Sequence, residues 1–258
     1  MSLLPTANSN GQSASYPYDD HIRQVRRSSN PFPLILKRIL RVPHMDFEFA
    51  MWQMAYLLIA PRRVYRNIYY HKQTKNQWAR DDPAFLVLMS ILLCTSAVAW
   101  GLVYGHGFLG ICKMMLYMVF VDFLLFGSVV ASVCWLFSNR FLRVTASHSI
   151  EQRVEWAYAF DVHCNAFFPV FLILYVVQFF FIPILVRSSW ISLLIGNTMY
   201  FSSFAWYAYG TFLGYNALPF LVHSEIFLYP IGIFLILWVG SLFGFNISRT
   251  MLQAYFGS

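Results

Sequence analysis

Asp122 stands inside the apolar run Met114 to Phe137. About nine residues from the start of that run, a carboxylate costs about 3 kcal/mol on insertion scales and needs a partner or a proton. It can serve as a proton or cargo site. It can equally be a protonated or hydrogen-bonded acid that holds helices together through Thr95, Asn197 or a Tyr hydroxyl. No basic residue occurs within any apolar run to complete a proton relay, which favours the structural reading. Gln178 and Asn197 are further polar side chains inside such runs. Asp161 and His163, with His223, offer two imidazoles and a carboxylate, a common ligand set for zinc. They are read as lying on separate loops, where interfacial hydrogen bonding explains them more simply, so neither a metal nor a cofactor is expected. Cys94, Cys112, Cys134 and Cys164 show no CxxC spacing and read as small buried side chains.

A larger polar set gathers before and between the apolar runs: Asp46 and Glu48; Arg62, Arg63 and Arg66; Trp78, Arg80, Asp81 and Asp82; Glu155, Trp156, Asp161, His163 and Asn165; and His223. Asp81 and Asp82 precede Pro83, as carboxylates do at a helix start, where they accept orphan amide bonds and favour the dipole. Val64, Tyr65, Ile68 and Tyr69 fall on one helical stripe among Arg62, Arg63, Arg66 and Lys72.

The apolar runs must position all of these. A hydrocarbon core about 30 Å thick takes about 20 residues of helix, because backbone polar groups cannot go unsatisfied in lipid. Five stretches meet that need: Ala84 to Tyr104, Met114 to Phe137, Ala166 to Val186, Trp190 to Tyr209 and Ile226 to Ile247. The 258 residues are 59% hydrophobic and only 11% charged, too little polar surface to coat a soluble core. Leu34 to Val42 and Met45 to Ala60 are too short or too charged to span and suit helices in the interface. The fold class expected is an all-α integral membrane protein, with about five transmembrane helices plus N-terminal interfacial amphipathic helices. Residues 1–33 read as a disordered cytosolic tail, 34–83 as a basic interfacial helical arm, 84–247 as the five-helix transmembrane domain and 248–258 as a short lumenal tail. Met1 to Asn30 lacks the apolar segment of a signal peptide.

Of the 18 Lys and Arg, 12 precede the first run. A cytosolic N-terminus leaves 15 on the cytosolic side and 3 on the other, the distribution that the positive-inside rule prefers, and places the C-terminus in the lumen. The net charge of +7 then records orientation and attraction to anionic lipid rather than nucleic acid. The polar set would share the cytosolic face as a platform for a soluble partner. The sequon Asn246-Ile-Ser falls at the lumenal end of the last run, close to the membrane. No inverted repeat is visible in the five runs, which weighs against a transporter.

The strings MDFEFAMWQM, PRRVYRNIYYHKQTKNQWARDDPAFLVL, VEWAYAFDVHCNAFFP, GNT and TFLGYNALPFL resemble the signature stretches of the Unc-fifty family of multi-pass Golgi membrane proteins. The similarity runs from about Lys37 to the last span. The resemblance implies a Golgi and early secretory pathway protein with no established catalytic activity. It implies trafficking of membrane cargo such as nicotinic acetylcholine receptors, and association with a cytosolic guanine-nucleotide exchange factor of Arf GTPases. No catalytic residue carries over. The function expected is a non-enzymatic factor in vesicular trafficking. The alternatives are a small channel or transporter using Asp122, or RNA binding by the basic N-terminal arm.

Overall fold

A computed structural model of the chain describes residues 45–67, 77–144 and 152–256. The expectations for the tail over residues 1–33, for the helix Leu34 to Val42, and for Ile68, Tyr69 and Lys72 lie outside the described residues. Those described belong to one unit, Pro43–Ser258. They form helices and no strands, with a single antiparallel bridge between Arg143 and Leu221.

Helix α1, Phe47–Ile59, begins at Asp46, whose side chain accepts the Phe49 amide at 2.9 Å, and carries Glu48 in its first turn, where acid favours the dipole. Residues 61–67 are again helical and start on Pro61, a position where proline loses no needed donor. Helix α2, Ala84–Val103, ends in a Schellman turn. The Gly105 amide bonds Leu102, the His106 amide bonds Gly101, and Gly105 takes φ +71°, which a side chain would resist. Helix α3 is Phe108–Leu142 and α4 is Trp156–Leu185. Helix α5 is Trp190–Asn216, and α6, Ser224–Ser241, opens with a tight 3-10 turn. Helix α7, Ile247–Phe256, starts at Asn246, whose Oδ1 accepts the Arg249 amide.

Helices α2, α3, α4 and α6 are long and apolar enough to cross a membrane. Helix α5, at 27 residues, is long enough at roughly 1.5 Å per residue, but Ser192, Asn197, Thr198, Ser202, Ser203 and Thr211 make it more polar. All five expected crossings therefore exist as helices among the described residues, four of them long and apolar enough to cross a membrane. Their antiparallel order gives the bundle two ends. The arm end holds α1, residues 61–67, Trp78 to Asp82, the start of α4 and the end of α5. The far end holds the α2–α3 turn, the α4–α5 turn and α7.

The second crossing is longer than the sequence reading, Phe108–Leu142 against Met114 to Phe137, and three further boundaries differ in ways that bear on polar residues. The third helix starts at Trp156, ten residues before Ala166, so Trp156 to Asn165 are helical and not a loop. The stretch TFLGYN likewise completes α5 and does not belong to a loop. The last crossing ends at Ser241, and the residues read as a short tail form α7, packed into the bundle through Leu252 and Phe256. In each case polar side chains that break an apolar run find partners on neighbouring helices.

Two apolar clusters fill the interior. One joins α1 and α2 to α3, α4 and α7 around Met89, Leu93, Trp100, Met118, Phe123 and Phe171. The other, at the arm end, gathers Tyr65, Trp78, Tyr158, Val162, Leu213 and Tyr215. Glycines set the closest approaches. A methyl on Gly214 of α5 would fall 2.6 Å from both terminal methyls of Val162 on α4. Gly214→Ala should therefore cost about 1–3 kcal/mol by overpacking. Its measurable form is a lower melting temperature of the purified protein in detergent, compared with an Ala substitution at Gly232, where open space surrounds the backbone.

Candidate functional site

At the arm end, Arg80 is the hub of a polar cluster between the chain segment before α2 and the first turns of α4. Its amide donates to Asp161 Oδ2 at 2.6 Å, and its Nε lies 3.4 Å from Asp161 Oδ1. One terminal nitrogen donates to Gln53 of α1, the other to the Asp161 carbonyl and, at 2.7 Å, to Asn165 Oδ1. The guanidinium also lies over the Phe85 ring, 4.3 Å from its centroid. Planar forked donors suit such a multi-partner site better than an ammonium would. The pair is largely shielded, with 15% and 20% of its side chains exposed, so loss of either member would strand the other.

The surrounding residues close the joint. Trp78 and Ala79 are buried, and their amides make weak 3.5 Å contacts with the Glu155 carboxylate. Trp78 packs edge-on against Tyr158, whose hydroxyl donates to the Gly214 carbonyl at 2.6 Å. Tyr65 is buried beside Asn165, Arg80 and Asp161, and burial pushes its hydroxyl above the ordinary range, so it stays protonated. Asp82 bonds in two directions: Oδ1 accepts the Ala84 amide at the α2 start, and Oδ2 accepts the Asp46 amide at 2.7 Å. Its capping role thus also ties α1 to α2. Asp81 is half-buried beside it.

The sequence-derived set therefore divides. Trp78, Arg80, Asp161, His163 and Asn165 turn inward or line the joint, whereas Asp46, Glu48, Arg62, Arg63, Arg66, Trp156 and His223 are exposed. Trp156 donates its indole N–H to Ser132 on α3. Asp161, His163 and His223 do not converge. His163 is buried among Phe123, Phe160 and Phe167, with Nδ1 2.9 Å from the Tyr207 hydroxyl and its ring pressed onto Gly127. His223 sits alone among the non-glycine described residues in the left-handed region, at φ +56°, in the turn before α6. Gln53 and Tyr158 join the site from outside the sequence-derived residues, and Tyr65, placed by its helical stripe, is buried with Val64. A glutamine on the apolar face of α1 was the one available hint.

The intramembrane polar residues have partners toward the far end. Asp122 lies in a π-helical stretch of α3, Tyr117–Leu125, and its Oδ2 accepts the Tyr175 hydroxyl of α4 at 3.1 Å and the Tyr255 hydroxyl of α7. Of the partners considered for Asp122, the tyrosine hydroxyl is the one observed; Thr95 instead bonds the Ile91 carbonyl and Asn197 lies elsewhere. Burial pushes the Tyr255 hydroxyl well up, which keeps it a donor. Gln178 donates to Ser248 of α7 at 2.8 Å. Asn197 donates to the Ser241 hydroxyl and the Phe245 carbonyl and accepts the Ile247 amide, so it fastens the α6–α7 corner.

The sequence strings that carry the resemblance coincide with these joints, and a family model described as the UNC-50 family matches residues 35–256. This chain belongs to the UNC-50 family. The Dictyostelium discoideum protein unc-50 homolog is 45% identical over 258 residues, 99% of each chain. The Homo sapiens protein unc-50 homolog is 47% identical over 222 residues, 85% of each chain, and the Drosophila melanogaster one 42% over 241 residues, 93% of this chain and 86% of that one. No solved structure matches the chain. For this UNC-50 family member, Arg80→Met should lower stability by about 3 kcal/mol, because Asp161 and Asn165 lose their shared donor. The double variant Arg80→Met with Asp161→Leu should recover much of that loss. Thermal melts, together with trypsin cleavage at Arg62, Arg63 and Arg66, measure both effects.

Proposed function

We propose that this UNC-50 family member is a non-catalytic protein of the Golgi membrane that acts in vesicle-mediated transport, with its N-terminus in the cytosol. Its arm end recruits a cytosolic guanine-nucleotide exchange factor of Arf GTPases, while the helices engage membrane cargo such as cell-surface receptors. The observation that carries this reading is the contrast across residues 61–67. Val64 and Tyr65 are buried in the bundle, and Arg62, Arg63 and Arg66 are exposed. Their backbone is anchored by Tyr65, and the Arg80 joint lies against the same ring. Three cations on a held backbone lose less entropy on binding than the same charges on a free tail, so a soluble acidic surface can read them. The excess of Lys and Arg before α2 supports the same orientation through the positive-inside rule.

Charge reversal of Arg62, Arg63 and Arg66 to Glu tests it. Recovery of the exchange factor in a pulldown should fall at least about tenfold, as expected for several lost rim charges, with membrane insertion and melting temperature unchanged. Unchanged recovery with normal insertion would sink the reading.

A further inference from the structure

The carboxyl group of Asp122 uses its two oxygens unequally. Oδ2 accepts both tyrosine hydroxyls. Oδ1 receives no hydrogen bond among the described residues, and it does not belong to the polar atoms that are sealed in the interior without a partner. With two donors occupying Oδ2, Oδ1 is the atom that carries the proton when the acid is neutral and the open share of the charge when it is ionised. No described cationic side chain pairs with it. One helical turn on from Asp122, Leu125 and Phe126 are exposed, while Met118 and Val119 one turn back are buried, so the acid stands at the edge between the interior and the outward face of α3.

A half-buried acid near the middle of a crossing helix, held in one orientation by tyrosines from two other helices, has an open oxygen and no cation of its own. Either a lone Lys or Arg or a lone carboxylate is costly in hydrocarbon, and bringing the two together relieves both costs. We propose that Asp122 is a docking point inside the membrane for the Lys or Arg side chain of a partner's transmembrane helix. A soluble ligand does not fit, because Asp122 stands near the middle of a crossing helix whose next turn presents Leu125 and Phe126 outward. The π-helical turn and the two tyrosines preorganise the carboxylate, so little ordering is left to the encounter. The proposal deepens the trafficking reading by naming where a membrane cargo helix is held, and it rests on that reading only for the partner's biological role.

The test uses the full chain in lipid vesicles with labelled synthetic helices. One is a polyleucine span with a single central Lys, the second has Leu throughout, and the third carries the Lys near one end. Energy transfer to the full chain should show the central-Lys helix binding about tenfold more tightly than the other two, the scale of one intramembrane polar contact. Asp122→Asn, which keeps an acceptor for both tyrosines, should abolish the preference. Equal binding of all three helices to the wild-type protein overturns the proposal without any variant, and so does a preference that survives in Asp122→Asn. Exchange-factor recovery by the wild-type protein, set beside its helix preference, separates the two readings. In the wild-type protein, exchange-factor recovery alongside equal binding of the three helices removes the docking point alone, whereas a central-Lys preference without exchange-factor recovery removes the trafficking role alone.

Discussion

The constraint on which this architecture depends is that hydrocarbon supplies no hydrogen bonds. In water an unpaired Asn or Asp costs little, because solvent replaces the missing partner. Between helices in a bilayer, each polar side chain must be matched by another protein group or it opposes insertion. The helices here meet where those matches occur. Arg80 joins α1, the segment before α2, and α4; Asn197 joins α5 to the α6–α7 corner; Asp122 joins α3 to α4 and α7. Apolar packing in lipid has weak directional preference, since lipid tails are as apolar as leucine. The polar pairs therefore specify which helix faces meet, and the glycines let those faces approach.

The close approaches follow from the same constraint. Gly127 gives the His163 ring a flat backbone surface to rest on, and Gly214 lets the Tyr158 hydroxyl reach the α5 carbonyl beside it. Gly196 brings α5 against Ser248, the residue that accepts from Gln178. Small residues and polar residues are thus paired in space, because a short hydrogen bond between helices requires the backbones to come closer than bulky side chains permit.

Much of this fold was legible in the sequence, because length and apolar content are local properties. The starts of α2 and α5 coincide with the ends of charged or serine-rich stretches, and Gly105 marks the α2 terminus directly. What was not legible is the pairing. Asp161, His163 and Asn165 look like loop residues in a run-length reading, since three polar groups in five positions interrupt the apolar run. They are helical because Arg80 and Tyr207, distant in the chain, satisfy them. Helix α7 is hidden for the converse reason: ten residues with Ser248, Arg249, Thr250 and Gln253 are too short and polar to resemble a span. Ser248, Leu252 and Phe256 nonetheless recur every four residues behind an asparagine cap, which is an amphipathic helix signature.

The two ends of the bundle consequently differ in kind. At the arm end, charge is neutralised inward by Arg80 and Asp161, and the cations left over point outward on a backbone that packing holds still. At the far end, α7 returns to the bundle, and its last residues are clasped by aromatic rings and neutral hydrogen bonds. Phe256 stacks on Trp100 at 4.3 Å, its carbonyl meets the His106 ring, and Tyr255 reaches Asp122. A rigid charged surface is suited to long-range recognition of a soluble partner, because its field extends into water. The difference between the ends thus follows from where each set of polar groups finds its partners.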